Sequence, residues 1–597
     1  MEDRSGGEII VDFLVERKSP YLVALSGHSC AAVLDAALDR QNAIKTISVH
    51  HEQTAGFIAD AFYRVSGTPL TTLTSVGPGG SNIHTPVANA LFDSSALLAI
   101  TTNVNTQLLN RGAMHDLGFH FQADFVSAMR PYVKRAYQAP RVEMLPDMMR
   151  HAFNTMLSGR TGPVNLDVPL NVLAERTTAR ASFAENWRSN AYYGSAGDPA
   201  AIERAVDLLL SAENPMILAG QGCLFDKAEG VLLELAEMAE IPVATTNQAK
   251  GAIDETHRLS LGPAGRDGVY PANRTSRECD VLLALGTRFG DRATSSWREG
   301  VTHSMSKTKL IHVDIDPAQL GRNYPPTVGI VGSAAIVLRQ LIDMLKQRSE
   351  LKDAIKRRRS WTERFMRWKT NWVAEFATAK TLPGSPIQPD RFIAELSAVA
   401  PRNSLMLVDV GANHSWMIQQ WRVPKGGMLL QSGGYACMGF GVCGAVGAKL
   451  AAPERPVIAV VGDGSFVMHS NAVLTAVEYG LPVVWVVWNN CGYIAIRDSQ
   501  NGFFGRGREI ATRFRKERTG ELFSADFALM ARSMGARGER VEQPGDLGDA
   551  IKAALASGEP TVLDVQVASD ATRKSSGLLD FPPFFGATNY DPDPMKN

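Results

Sequence analysis

Residues 456–493, PVIAVVGDGSFVMHSNAVLTAVEYGLPVVWVVWNNCGY, constrain the fold of this chain more than any other stretch. Val457 to Val461 is a continuous apolar run, the pattern of a parallel strand buried on both faces. It stops at Gly462-Asp463-Gly464-Ser465. Two glycines around an acid predict a sharp turn whose backbone comes close to a ligand. A helix-length segment follows, then a second apolar run from Val483 to Trp488, ending at Asn489-Asn490. In a parallel sheet both runs end at the carboxyl edge, where open α/β sheets bind ligands. The spacing therefore predicts that Asp463 and Asn490 meet. A carboxylate and a side-chain amide form a hard oxygen pair, suited to Mg²⁺ that already carries phosphate oxygens. Ser465 is placed to bond a phosphate oxygen. GDG alone reads equally well as an ordinary turn, and Asn-Asn as a helix cap. The whole strand-turn-helix-strand-turn unit is far more specific.

The unit resembles the diphosphate-binding motif of thiamine-diphosphate enzymes. The resemblance implies that Asp463, Asn490 and the backbone carbonyl of Gly492 bind Mg²⁺, with Gly462, Gly464 and Ser465 around the diphosphate. A second region carries the same likeness. Ile44 to Val49 reads as a strand leading to His50-His51-Glu52-Gln53 and a helix, and SVGPGGSN follows at 75–82. HEQ followed by a glycine-rich turn is similar to the pyrimidine-binding domain of the decarboxylase and acetolactate-synthase group. The resemblance implies that Glu52 contacts the aminopyrimidine ring. It also implies that Asn413, in the loop after SLMLVDVG, reaches the diphosphate, and that Met438, before GFG, wedges between the two cofactor rings. By residue pattern alone, Glu52 is equally a helix-start acid complementing the dipole, and Met438 equally a packing residue.

The 597 residues suggest several domains. Strand-turn-helix repeats divide them into α/β units, each a doubly wound parallel sheet: 1–185 for the pyrimidine, a central Rossmann-like domain at 196–346, and 383–575 for the diphosphate and metal. A charged, Trp-bearing helical linker at 347–382 joins the last two, and 576–597 forms a Pro-rich aromatic tail or lid. The first and third domains share one plan and read as a distant duplication. In the family such halves face one another across a subunit interface, which implies a homodimer or homotetramer.

In the central domain, GTRFGDR at 286–292 resembles the flavin-adenine-dinucleotide loop of acetolactate synthase, and SGRTGPV places Arg160 where that enzyme has a flavin-contacting arginine. FAD and a structural glycine turn both remain open there. No GxGxxG opens a helix in this domain, which argues against a dehydrogenase.

Formal net charge is zero, so no basic field invites nucleic acid. The run Lys356 to Arg359 reads as a solvated helix face. No apolar run has transmembrane length, and the N-terminus lacks a signal-peptide pattern. Six dispersed cysteines with no CxxC indicate neither a disulfide framework nor a zinc site. A cytoplasmic protein is expected.

The chemistry expected is cleavage or formation of a C–C bond next to a carbonyl, with a 2-oxo acid or related small carbonyl compound as substrate and a decarboxylase or carboligase outcome. His28 and His84, on carboxyl-edge loops of the Glu52 domain, are the candidate acid-base groups. A histidine at each of these positions is also similar to the cyclohexane-1,2-dione hydrolase branch, which leaves a C–C hydrolase as the second reading. Departures from acetolactate synthase stand at Ala495, Ser499 and Phe121. A catalytically silent scaffold is the third reading, opposed by the presence of Glu52, Asp463 and Asn490 together.

Overall fold

The computed structural model describes residues 3–116, 124–180, 194–571 and 573. Phe121 and the tail at 576–597 lie outside the described residues. Three six-stranded sheets organise the chain, and every strand pairing within them is parallel. The N-terminal sheet runs Lys45–Ser48, Tyr21–Ala24, Leu70–Thr74, Leu97–Asn103, Val164–Pro169, Arg135–Gln138. The C-terminal sheet runs Met428–Gln431, Leu405–Val408, Val457–Gly462, Val483–Asn489, Thr561–Gln566, Arg537–Val541. Counted in chain order, both have the strand order 2-1-3-4-6-5. This common topology supports the duplication read from the sequence. The central sheet differs. Its strands Ser260–Pro263, Val243–Thr245, Pro215–Ala219, Val281–Leu285, Lys309–Asp314 and Val328–Val331 stand in the order 3-2-1-4-5-6. That is the doubly wound dinucleotide-binding order, with its switch point between the first and fourth strands.

Burial on both faces explains the unbroken apolar strands. Val457 to Val461 and Val483 to Trp488 are fully covered, with Val460 paired to Val408 on one side and Val486 on the other. The expected helical connector is helical, as Leu351–Arg357 and Arg359–Ala374. Its Trp361, Phe365 and Trp372 are buried in the central core, and the Trp361 indole donates to the Pro215 carbonyl at 3.0 Å.

One charge reading is corrected here. Arg358, expected on a solvated face, is buried. Its guanidinium donates to the carbonyls of Ala239 at 2.9 Å and Ala212 at 3.2 Å, and to that of Leu209. These carbonyls end the helices Pro199–Ser211 and Glu229–Ala239. A buried cation is tolerated because it satisfies helix-end acceptors that would otherwise lack partners.

The N- and C-terminal sheets are joined by two helices packed side by side, Glu52–Ser66 and Phe440–Ala451. Small residues allow the close approach. A Cβ on Gly447 would lie 2.2 Å from the Ile58 carbonyl oxygen, and one on Gly444 3.1 Å from the Ala61 methyl.

Candidate active site

The helix Asp463–His469 begins directly where the strand Val457–Gly462 ends. The expectation that its glycines are needed for a sharp turn is corrected. Gly462 is extended at φ −69°, and Gly464 lies inside the helix. Gly464 is required for space instead, since a Cβ there would stand 2.4 Å from the Tyr493 ring. The left-handed step falls on the other strand's exit, at Cys491 with φ +56°. That step turns the backbone around the Asp463 carboxylate. One oxygen accepts the N–H of Gly464 at 2.8 Å, and the other accepts those of Asn490 at 3.2 Å and Gly492 at 3.1 Å. The predicted meeting of Asp463 and Asn490 is thus present, through the Asn490 backbone N–H, and Gly492 stands beside them. Burial pushes the Asp463 carboxyl up to about 6, against the pull of these N–H groups. A bound cation would relieve that burial cost. One carboxylate, one amide and one backbone carbonyl are hard oxygen donors and fit Mg²⁺ with phosphate completing its shell.

Asn413 lies in the helix Ala412–Gln420, after Gly411 at φ +134°. Its amide donates to the Asp409 carbonyl at 2.8 Å, and its Oδ1 faces the space that a Cβ on Gly411 or Gly462 would take. Asn413 and the GDG turn are therefore neighbours. Ser465 is buried in the first turn of its helix, and Met438 is half-buried just before Gly439.

Glu52 starts the helix Glu52–Ser66 and is 7% exposed. Its Oε2 accepts from the Asn82 amide at 2.9 Å, and a Cβ on Gly79 would come within 3.1 Å of its Oε1. HEQ and GPGGSN, separate in sequence, thus form one wall. Gly77 makes the turn at φ +70°. His84 opens the helix His84–Phe92, with ring neighbours Phe125 and Tyr132. His28 is exposed and has its ring 5.7 Å from that of His115. The two candidate histidines have separate surroundings.

The two halves also touch within one chain. His469, at the far end of the Asp463 helix, has Nε2 2.9 Å from Oε1 of Gln53. Burial pushes His469 down to about 4, so the ring is neutral and Nε2–H donates. Thr54 donates to Asn471 at 2.7 Å. Beyond them, Arg64 is paired with Asp60 at 2.7 Å and Asp93 at 3.1 Å and donates to the Gln431 carbonyl at 2.7 Å. Asp93 accepts the N–H groups of Gly433 and Gly434. This buried network ties the loop before Met438 to the N-terminal domain. His469, Arg64 and Asp93 were not found from sequence. Only a Gln directly after a helix-start acid and an ordinary i,i+4 Asp-Arg pair mark them there.

In the central domain the switch-point loops are Gly220-Gln221-Gly222 and Gly286-Thr287-Arg288. Gly220 donates to the Leu285 carbonyl at 2.8 Å, and Gly222 to that of Gly286 at 3.1 Å. Arg160 reaches this edge from the N-terminal domain, donating to the Ser94 hydroxyl and the Leu91 carbonyl, each at 2.8 Å. It lies in the field of Arg288, Asp314, Asp316 and Arg322. Burial pushes Asp314 up to about 6.

Comparison with known proteins gives three matches to family models. Residues 4–123 match the N-terminal TPP binding domain of thiamine pyrophosphate enzymes, 202–341 their central domain, and 409–565 their C-terminal TPP binding domain. The chain is 33% identical to a probable acetolactate synthase large subunit of Methanococcus aeolicus, over 98% of this chain and 95% of the relative. It is 33% identical to a probable acetolactate synthase large subunit of Methanocaldococcus jannaschii, over 94% and 92%. It is 29% identical to acetolactate synthase isozyme 3 large subunit of Escherichia coli, over 93% of each.

Proposed function

The chain belongs to the thiamine pyrophosphate enzyme family, and from that premise we propose that it is a thiamine-diphosphate-dependent carboligase resembling acetolactate synthase, acting on a 2-oxo acid. The observation that carries the reading is the wrapped Asp463 carboxylate beside Asn490 and Gly492, on a helix whose other end touches the HEQ segment. When bound, thiamine diphosphate supplies an electron sink for the negative charge that develops next to a carbonyl carbon.

The chain's own groups have distinct roles. Asp463, Asn490 and the Gly492 carbonyl hold Mg²⁺. Asn413, Ser465 and the Gly462-Asp463-Gly464 backbone hold the diphosphate. Glu52 would hold a hydrogen bond at the pyrimidine ring, and Met438 would pack against the cofactor. His28 and His84 hold or move protons at the substrate's carbonyl, each contributing on the order of 10²–10⁴-fold. The sites lie between subunits of a homodimer or homotetramer, so that Glu52 and Asp463 of different chains serve one cofactor. The three domains are read as residues 1–185, 196–346 and 383–575.

The proposal extends to FAD at the central switch point. The strand order, the close glycine backbones and Arg160 beside Arg288 support it. A flavin absorption spectrum from the purified protein checks it. Among the described residues no helix is long and apolar enough to cross a membrane. All six cysteines are free, in keeping with the reducing cytoplasm we propose.

The test is incubation with pyruvate, thiamine diphosphate and Mg²⁺. CO₂ release with acetolactate as product supports the carboligase. Absence of CO₂ from every 2-oxo acid, with acid produced from a 1,2-diketone, would move the reading to the hydrolase. The comparisons do not favour that alternative.

A further inference from the structure

A cavity lies where three segments meet: the central domain, the linker helix Arg359–Ala374, and the end of the C-terminal helix Ala412–Gln420. Junctions of this kind are common places for small-molecule sites. The water-accessible interior is about 40 Å³, and the volume counting the open mouth is about 380 Å³. The interior has room for roughly three waters, enough for a carboxylate head whose chain runs to the mouth.

Six polar side chains line it: Lys250, Glu255, Ser260, Lys369, Gln419 and Arg422. Three cations thus stand against one carboxylate. Lys250 and Glu255 neutralise one another, with Nζ 2.9 and 2.8 Å from the two carboxylate oxygens. Glu255 also accepts the Val423 N–H at 2.8 Å. Gln419 is engaged. Lys369 donates to the carbonyls of His257 and Arg258, which leaves one ammonium N–H over. Arg422 is exposed. Among the described residues neither Lys369 nor Arg422 is ion-paired with a carboxylate.

These two cations face one another across the joint between linker and C-terminal domain. Burial, and then the Arg422 charge, push Lys369 down to about 8. An anion between them would relieve both penalties. Ser260, 1% exposed, has a hydroxyl without a hydrogen-bond partner, an unfavourable state that donation to an anion would end. The remaining wall is largely apolar, with Val269, Pro271, Trp372 and Trp421. Such a wall suits a hydrocarbon chain and offers nothing to the further oxygens of a phosphate.

We propose that this junction binds a small monocarboxylate with a short apolar chain, its carboxylate between Lys369 and Arg422 and its chain against Trp372 and Trp421. The site is separate from the one read for the coenzyme. Asn413 stands near the other end of the helix Ala412–Gln420, roughly 9 Å along the axis from Gln419 at 1.5 Å per residue.

The test titrates the holoenzyme with butanoate, with its neutral analogue butanamide, and with inorganic phosphate, by calorimetry and by thermal midpoint. Butanoate should saturate and raise the midpoint, as a ligand of the folded state does. Butanamide and phosphate should bind at least tenfold more weakly. Lys369→Gln should weaken butanoate at least tenfold. Arg422→Gln, at an exposed position, should weaken it in the same direction and decides the matter if the lysine variant folds poorly. Butanoate held elsewhere, for example at the coenzyme site, would ignore both substitutions. Undiminished binding in the variants overturns the inference, as does absence of saturable binding, equal binding of butanamide, or a preference for phosphate.

Discussion

Nε2 of His469 donates to Oε1 of Gln53 across 2.9 Å, joining the helix that Asp463 begins to the helix that Glu52 begins. The Asp463 helix has seven residues and spans roughly 10 Å at 1.5 Å per residue. The Asp463 end of one domain and the Glu52 end of the other are therefore connected within a single chain.

Glu52→Gln keeps the size of the side chain and the contact with Asn82 but removes the carboxylate. Carbonyl turnover should fall by about 10²–10⁴-fold, the range for a positioned acid-base group. The thermal midpoint and cofactor affinity should change little. Steady-state kinetics beside a thiamine diphosphate titration check this split.

Gly464→Ala places a methyl where the Tyr493 ring stands, 2.4 Å away. The ring or the helix start must move, and the Asp463 carboxylate accepts the N–H groups of Gly464 and Gly492, the neighbours of both. We expect the Mg²⁺ requirement for half-maximal activity to rise at least tenfold, while far-ultraviolet dichroism stays native. A magnesium titration of activity reads it.

Gly447→Ala tests the joint between the domains. Helix propensity favours alanine by about 1 kcal/mol, yet the new methyl would meet the Ile58 carbonyl oxygen at 2.2 Å. Overpacking should win, with a net loss of about 1–2 kcal/mol. Gly230, in the helix Glu229–Ala239, has open space around its Cβ position, so Gly230→Ala should leave stability equal or slightly higher. Denaturant midpoints of the two variants give the comparison.

The Asp267 carboxyl is pushed up by burial but held well below the usual carboxylate range by Arg292 and Arg573 beside it. A depressed value stabilises the fold above the unfolded-state pKa, about 3.9, and that stability disappears as pH falls through the folded-state value. Asp267→Asn should cost about 2 kcal/mol at pH 7, less than the roughly 3–5 for a fully buried pair, because Arg292 is partly open to water. The difference from wild type should be flat above about pH 5 and shrink below about pH 4. Thermal midpoints across that range measure it.

The Asp463–Asn490 meeting was legible because neighbouring parallel strands must end at one edge, a consequence of local pattern alone. The buried strands were legible for the same reason. Arg135–Gln138 and Arg537–Val541 were not, since edge strands carry polar side chains and lose the apolar signature. Gly464 was singled out for the wrong cause. Its neighbour Tyr493 comes from the next strand's exit, and no sequence window contains both. Arg358 misled for a similar reason, because the helix-end carbonyls it satisfies belong to segments more than a hundred residues away. Gln53 with His469 depends on how finished domains dock, and periodicity carries no information about that.

Calorimetric titration of the metal-free protein with thiamine diphosphate, with and without Mg²⁺, tests the central claim most directly. The account predicts one saturable site per chain that requires Mg²⁺ and is lost in Asp463→Asn. Absence of binding, or binding that ignores both the metal and residue 463, would contradict it.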